Sequence, residues 1–159
     1  NNSYGKIFAF EPMRSNVEIC RKHYTENGIK NIDLFGKGTW SENGCISFAE
    51  GVSQGQIDVN GTNAIETIKI DDAVAGYDGK ITFIKMDIEG AELEALRGAG
   101  KTIRKDKPRM AICIYHKPED LYEIPGYLLS LVPEYRFQVR QYTSMNWETV
   151  LYVAVEGEW

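Results

Sequence analysis

The stretch KITFIKMDIEGAELEALRGAGKTIR, residues 80–104, passes through three structural states in turn. Residues 80–86 are mostly apolar and predict a strand. Asp87-Ile88-Glu89-Gly90 predicts a turn, and a helix is expected from about Ala91 to Arg104. Leu93, Leu96, Gly100 and Ile103 share one face of that helix at its 3.6-residue period. Glu89, Glu92 and Glu94 stand at its start and Lys101, Arg104 and Lys105 at its end, which matches the helix dipole. A near-continuously apolar strand running into a helix is the building unit of an α/β sheet.

The same alternation continues on both sides. Upstream, residues 6–10 predict a strand buried on both faces, followed by a helix over 15–26. Ser15 is the expected N-cap, Glu18 completes a capping box, and Asn27-Gly28 forms the stop. Residues 32–35 predict a second strand. Between Trp40 and Ile70 the texture changes, with short strands expected at 45–49, 56–59 and 64–70 among Gly- and Asn-rich turns. Residues 71–74 suggest one helical turn. Downstream, residues 109–115 predict a strand, 124–132 a helix with Pro125 in its first turn, and 135–142 and 149–155 two strands close enough to pair antiparallel. The reading is a single α/β domain, Rossmann-like, whose sheet is mostly parallel with an antiparallel C-terminal strand.

Composition narrows the function classes. The chain has 159 residues, 43% hydrophobic and 26% charged, with 18 Lys+Arg against 23 Asp+Glu for a net charge of −5. That balance disfavours general binding to nucleic-acid phosphates and a polybasic membrane anchor. No apolar run approaches the roughly 20 residues of a membrane span, and no secretory leader is visible. Cys20, Cys45 and Cys113 are irregularly spaced and accompany only His23 and His116. No metal-ligand pattern appears, and reduced thiols in a cytoplasmic protein are expected. Asp71, Asp72 and Asp87 likewise form no recognisable ligand spacing, so no metal site is assigned.

Three apolar strands end in groups that can bind or react: Glu11, Asp87 and His116. In an open parallel sheet such ends share one edge, and ligands bind outside it. An acid in the position of Glu11 can accept hydrogen bonds from ribose hydroxyls, normally about 20 residues after a glycine-rich loop. That loop would lie before residue 1. Gly98-Ala99-Gly100-Lys101-Thr102 imitates the tail of a phosphate loop, but Ala95 occupies the place of its first glycine and the segment falls late in the expected helix.

Ala9-Phe10-Glu11-Pro12 before a helix with Asn16, residues 66–72, and above all Ile84-Lys85-Met86-Asp87-Ile88-Glu89-Gly90-Ala91-Glu92 followed by Leu96-Arg97-Gly98-Ala99 resemble the FkbM family of S-adenosylmethionine-dependent methyltransferases. Gly36-Lys37-Gly38-Thr39-Trp40-Ser41 and Tyr115-His116 also fit. The resemblance implies S-adenosylmethionine as cofactor and methyl transfer to a nucleophile, most often the hydroxyl of a small molecule or saccharide. It implies Glu11 on the ribose and Gly38, Thr39 and Trp40 flanking the adenine, although Trp40 could equally be a packing aromatic. Asp87 and Glu89 would stand near the reacting end, where a carboxylate could meet the sulfonium or the methionine amine, or orient or deprotonate the acceptor. His116 is the candidate general base by residue type, and Lys85 is expected to be a paired ammonium beside the site.

The family's first strand and its Asp-x-Gly loop have no counterpart here. In that fold the strand lies between those expected at 6–10 and 80–86, so the chain is expected to lack the first βα unit and to carry unpaired edges there. Two other readings stand beside methyl transfer: a nicotinamide-dependent oxidoreductase, and a non-catalytic interaction domain.

Overall fold

A computed structural model describes residues 5–48, 63–144 and 147–157. The strand expected at 56–59 lies outside these residues. Three sheets are present among the described residues. The first pairs β1 (Ile7–Phe10) in parallel with β2 (Ile32–Phe35), joined through α1 (Arg14–Glu26). In the second, β3 (Gly38–Thr39) runs parallel and β4 (Gly44–Phe48) antiparallel to the central β5 (Asn63–Ile68). A single helical turn, α2 (Ile70–Ala73), follows β5. The third sheet has the order β6-β7-β9-β8. Here β6 (Phe83–Met86) and β7 (Arg109–Cys113) are parallel, and β9 (Thr149–Val155) is antiparallel to both β7 and β8 (Tyr135–Gln141). The parallel pairs β1–β2 and β6–β7 have helices in their connections, and the antiparallel end is the one expected from the short 141–149 connection.

The core belongs to the third sheet and the helices on it: α3 (Glu92–Arg97), α4 (Gly100–Asp106) and α5 (Asp120–Leu131). Leu96, Ile103, Ile112, Ile124 and Leu128 are completely buried there. Tyr135 is also buried, and its hydroxyl donates to the Pro108 carbonyl at 3.0 Å, which satisfies the polar atom inside the core.

Three of the five residues of β7 and three of the seven of β9 are buried, whereas no residue of β1 is, and Phe83 in β6 is 53% exposed. The cause is an open slot. Among the described residues β1 pairs only with β2 and β6 only with β7, and a cavity of about 530 Å³ lies between their facing edges. Residues 6–10, Thr39, Ile70 and residues 80–86 line it. The unpaired edges expected at 6–10 and 80–86 are therefore present.

Helix limits depart from the sequence reading in three places, each for a local reason. α1 begins at Arg14, and Ser15 lies inside it with no capping bond. The Glu11 carboxylate accepts from the Met13 amide at 2.7 Å, which starts the helix earlier than the Ser15 capping box would. The single helix expected over 91–104 is two, because Gly98 is pressed against β3's exit: a Cβ there would stand 2.0 Å from the Trp40 carbonyl oxygen. The Gly98 carbonyl accepts from the Asp71 amide at 2.9 Å. The Asp71 carboxylate then accepts from the Lys101 and Thr102 amides and the Thr102 hydroxyl, capping α4 from outside. Finally, α5 starts at Asp120 rather than 124 and holds Pro125 in its interior.

Candidate active site

The turn after β6 is built by two consecutive residues with positive φ, Glu89 at 58° and Gly90 at 89°. Glycine accepts this conformation and glutamate resists it, so Glu89 is held by its surroundings. Glu92, in the first turn of α3, folds back and accepts from the Ile88 amide at 2.9 Å. Lys117 donates to the Gly90 carbonyl from the segment after β7. These contacts hold the β6 turn against the end of β7.

His116 is consequently enclosed by acids. Its side chain is 5% exposed, with Nδ1 3.0 Å from Glu92 Oε1 and Nε2 3.7 Å from Asp87 Oδ1 and 3.5 Å from Glu89 Oε2. Glu92 is completely buried, Asp87 is partly exposed and Glu89 projects outward. Tyr115 donates to Asp87 Oδ1 at 3.1 Å, and burial followed by the Asp87 charge pushes its phenol up to about 12. Burial, and then the Asp87 charge, similarly pushes the Cys113 thiol up to about 12. Asp120 sits behind the cluster, and burial followed by the Glu92 charge pushes its carboxyl up to about 6. Asp87, Glu89 and His116 were legible in the sequence as strand-end or turn residues. Spacing alone marks Glu92 as a helix-dipole acid, and the sign of its buried role is its place one turn beyond Ile88, able to fold back on the turn's own amide.

Other candidates have different surroundings. Glu11 is half-buried at the end of β1, and its Oε1 accepts from the Met13 amide. Gly38 lies beside it: a Cβ there would stand 3.9 Å from Pro12 Cβ. Thr39 lines the slot. The half-buried Trp40 donates its amide to Ile68 at 3.2 Å and packs its carbonyl on Gly98. Lys85 pairs with Asp87 at 3.6 Å as expected, but on an exposed strand rather than a buried one. The phosphate-loop imitation at 98–102 does open a helix, contrary to the sequence reading. Its Lys101 and Thr102 amides are already bonded to Asp71, which supplies a carboxylate where a phosphate would need donors.

The model of the methyltransferase FkbM domain matches residues 1–139. No curated protein matches the chain. Among solved structures, the methyltransferase FkbM of Methylobacillus flagellatus KT is similar, with 33% identity and a TM-score of 0.77 over 95% of this chain. The match covers 37% of that structure, so this chain spans little more than a third of its length. An rRNA methylase of Streptococcus thermophilus (14% identity, 94% of this chain, 73% of that one) and SMU.1697c of Streptococcus mutans in complex with SAH (12% identity, 94% and 76%) share the fold, each at a TM-score of 0.53. With a family match over most of its length and this arrangement of strand-end groups, the chain belongs to the FkbM methyltransferase family.

Proposed function

We infer that the protein transfers a methyl group from S-adenosylmethionine to a hydroxyl of a small molecule or saccharide. The observation that carries this reading is the FkbM-domain match over residues 1–139. Glu11 holds the ribose hydroxyls through its second oxygen, with Gly38, Thr39 and Trp40 along the adenine side. Asp87 stands toward the sulfonium. S-adenosylmethionine would supply the methyl group, the acceptor oxygen gaining an O–C bond in line as the S–C bond breaks and leaves its electron pair on sulfur. The acceptor's proton leaves to the group of Asp87, Glu89 and His116. In-line displacement gains most from positioning, which suits a site whose turn is tied down at both ends.

The same residues would form most of one catalytic domain, with the slot between β1 and β6 occupied by one further parallel strand that completes the sheet. Three free thiols fit a reducing cytoplasm. No helix among the described residues is long and apolar enough to cross a membrane. The net charge of −5 favours a small-molecule or saccharide acceptor over RNA.

Transfer of labelled methyl from S-adenosylmethionine by the full-length protein tests the assignment, with a panel of hydroxylated saccharides and small molecules beside ribosomal RNA. Label on the saccharide or small-molecule hydroxyls is expected. Label on RNA alone would replace the proposed acceptor class.

A further inference from the structure

The surroundings of His116 leave an electrostatic problem. Glu92 is 0% exposed, and no lysine or arginine lies within ion-pair distance of it among the described residues. A buried carboxylate without a cation is costly. Its Oε1 takes the Ile88 amide, whereas Oε2 is buried with no hydrogen-bond partner. Both ring nitrogens of His116 are also buried without one. At 3.0 Å, Nδ1 and Glu92 Oε1 are close, yet they do not form a hydrogen bond. Asp87 and Glu89 add two more carboxylates on the Nε2 side, and Asp120 adds a further buried acid behind Glu92. The cations nearby are engaged elsewhere: Lys117 donates to the Gly90 carbonyl, and the exposed Lys85 lies 3.6 Å from the outer oxygen of Asp87.

The geometry points to a divalent first-row transition-metal cation held by Asp87, Glu92 and His116. One ligand atom from each lies within 4.8 Å of the others. Ligands across a cation at about 2.1 Å are about 4 Å apart, and Asp87, partly exposed on its turn, can swing inward over the difference. Two carboxylates and one imidazole suit Mn²⁺ or Zn²⁺ better than the all-oxygen preference of Mg²⁺ or Ca²⁺. Tyr115, donating to Asp87, orients one ligand from behind.

This inference rests on the methyl-transfer reading and deepens it. The cation would bind the acceptor oxygen in an open position and make its proton easier to lose. His116 would then act as a ligand, and Glu89, outside the ligand set and exposed, would receive the proton.

Mn²⁺ titration of the full-length protein, followed by the electron paramagnetic resonance of free Mn²⁺ with Zn²⁺ as competitor, tests the inference without any turnover. One equivalent should bind, and Zn²⁺ should displace it. His116→Ala and Asp87→Asn should each weaken binding at least tenfold, whereas Asp72→Asn should not change it. Glu92→Gln, which keeps an oxygen for the Ile88 amide, should weaken it as well. No saturable binding by the wild-type protein, or equal binding by the His116 and Asp87 variants, would overturn the inference. S-adenosylmethionine calorimetry on the same sample separates the two readings: cofactor binding without Mn²⁺ binding removes the cation and leaves methyl transfer standing.

Discussion

Glu89 and Glu92 are three residues apart on one turn and have opposite fates. Glu89, forced to a positive φ, points outward with a 63% exposed side chain, while Glu92 turns under the helix start and is sealed from water. Which acid faces water and which faces His116 depends on the local backbone, and residue type alone does not reveal it. Glu11 is a simpler case, since one oxygen starts α1 and the other has no bond among the described residues. Glu11→Gln keeps an acceptor for Met13 and removes only the charge, so S-adenosylmethionine affinity in the full-length protein should fall about tenfold or more while thermal stability is nearly unchanged. Calorimetry and a melting curve read the two effects separately.

Asp72 shows how an exposed acid can still titrate unusually. The Asn43 amide donates to it at 2.7 Å and Lys69 lies at 3.1 Å, and these hold its carboxyl below the ordinary carboxylate value. Because the folded-state value is depressed, its stabilising effect is present above the unfolded value of about 4 and is lost as pH falls through the folded one. An NMR titration of the Asp72 carboxyl should show the low midpoint, and Asn43→Ala should raise it toward normal. An unchanged midpoint in that variant would exclude the Asn43 bond as the main cause.

At the scale of elements, the α3–α4 break ties three parts of the chain together. Gly98 admits the Trp40 carbonyl, its own carbonyl takes the Asp71 amide, and the Asp71 carboxylate caps α4. Gly98→Ala should destabilise by about 1–3 kcal/mol, since the added methyl meets backbone that cannot rotate away. Asp71→Ala should cost a similar amount, about 1–3 kcal/mol, by leaving the α4 amides without their cap. Urea unfolding midpoints check both, and a wild-type midpoint for either would mean the break is not held in this way.

The same element shows where sequence reading stops. The apolar period of residues 93–103 runs through the break undisturbed, so periodicity alone predicts one helix. The cause of the break lies some 25 to 60 residues away, at Asp71 and Trp40. Strands β1, β2, β7 and β9 were legible because apolar runs between turn residues are local signals, and Asp87, Glu89 and His116 because they stand where those runs end. Gly38–Thr39 is too short to leave a pattern, and the buried role of Glu92 depends on a fold-back that spacing does not encode.

For the whole molecule, the slot between β1 and β6 is the governing feature. The Ile7 and Glu11 amides donate toward β2, so by alternation those of Phe8 and Phe10 face the slot. The Thr82 carbonyl accepts from Arg109 of β7, so the Phe83 and Lys85 amides face it from the other side. In the 159-residue chain these four amides should exchange with deuterium much faster than those of Ile7 and Arg109. Equal protection would mean that the two edges close on each other.

Methyl transfer is proposed at the edge where Glu11, Asp87 and His116 lie. Calorimetric titration of the full-length protein with S-adenosylmethionine, and separately with NAD, tests it most directly. One S-adenosylmethionine site is expected, weakened by Glu11→Gln, with no NAD binding. Binding of NAD without S-adenosylmethionine would contradict it.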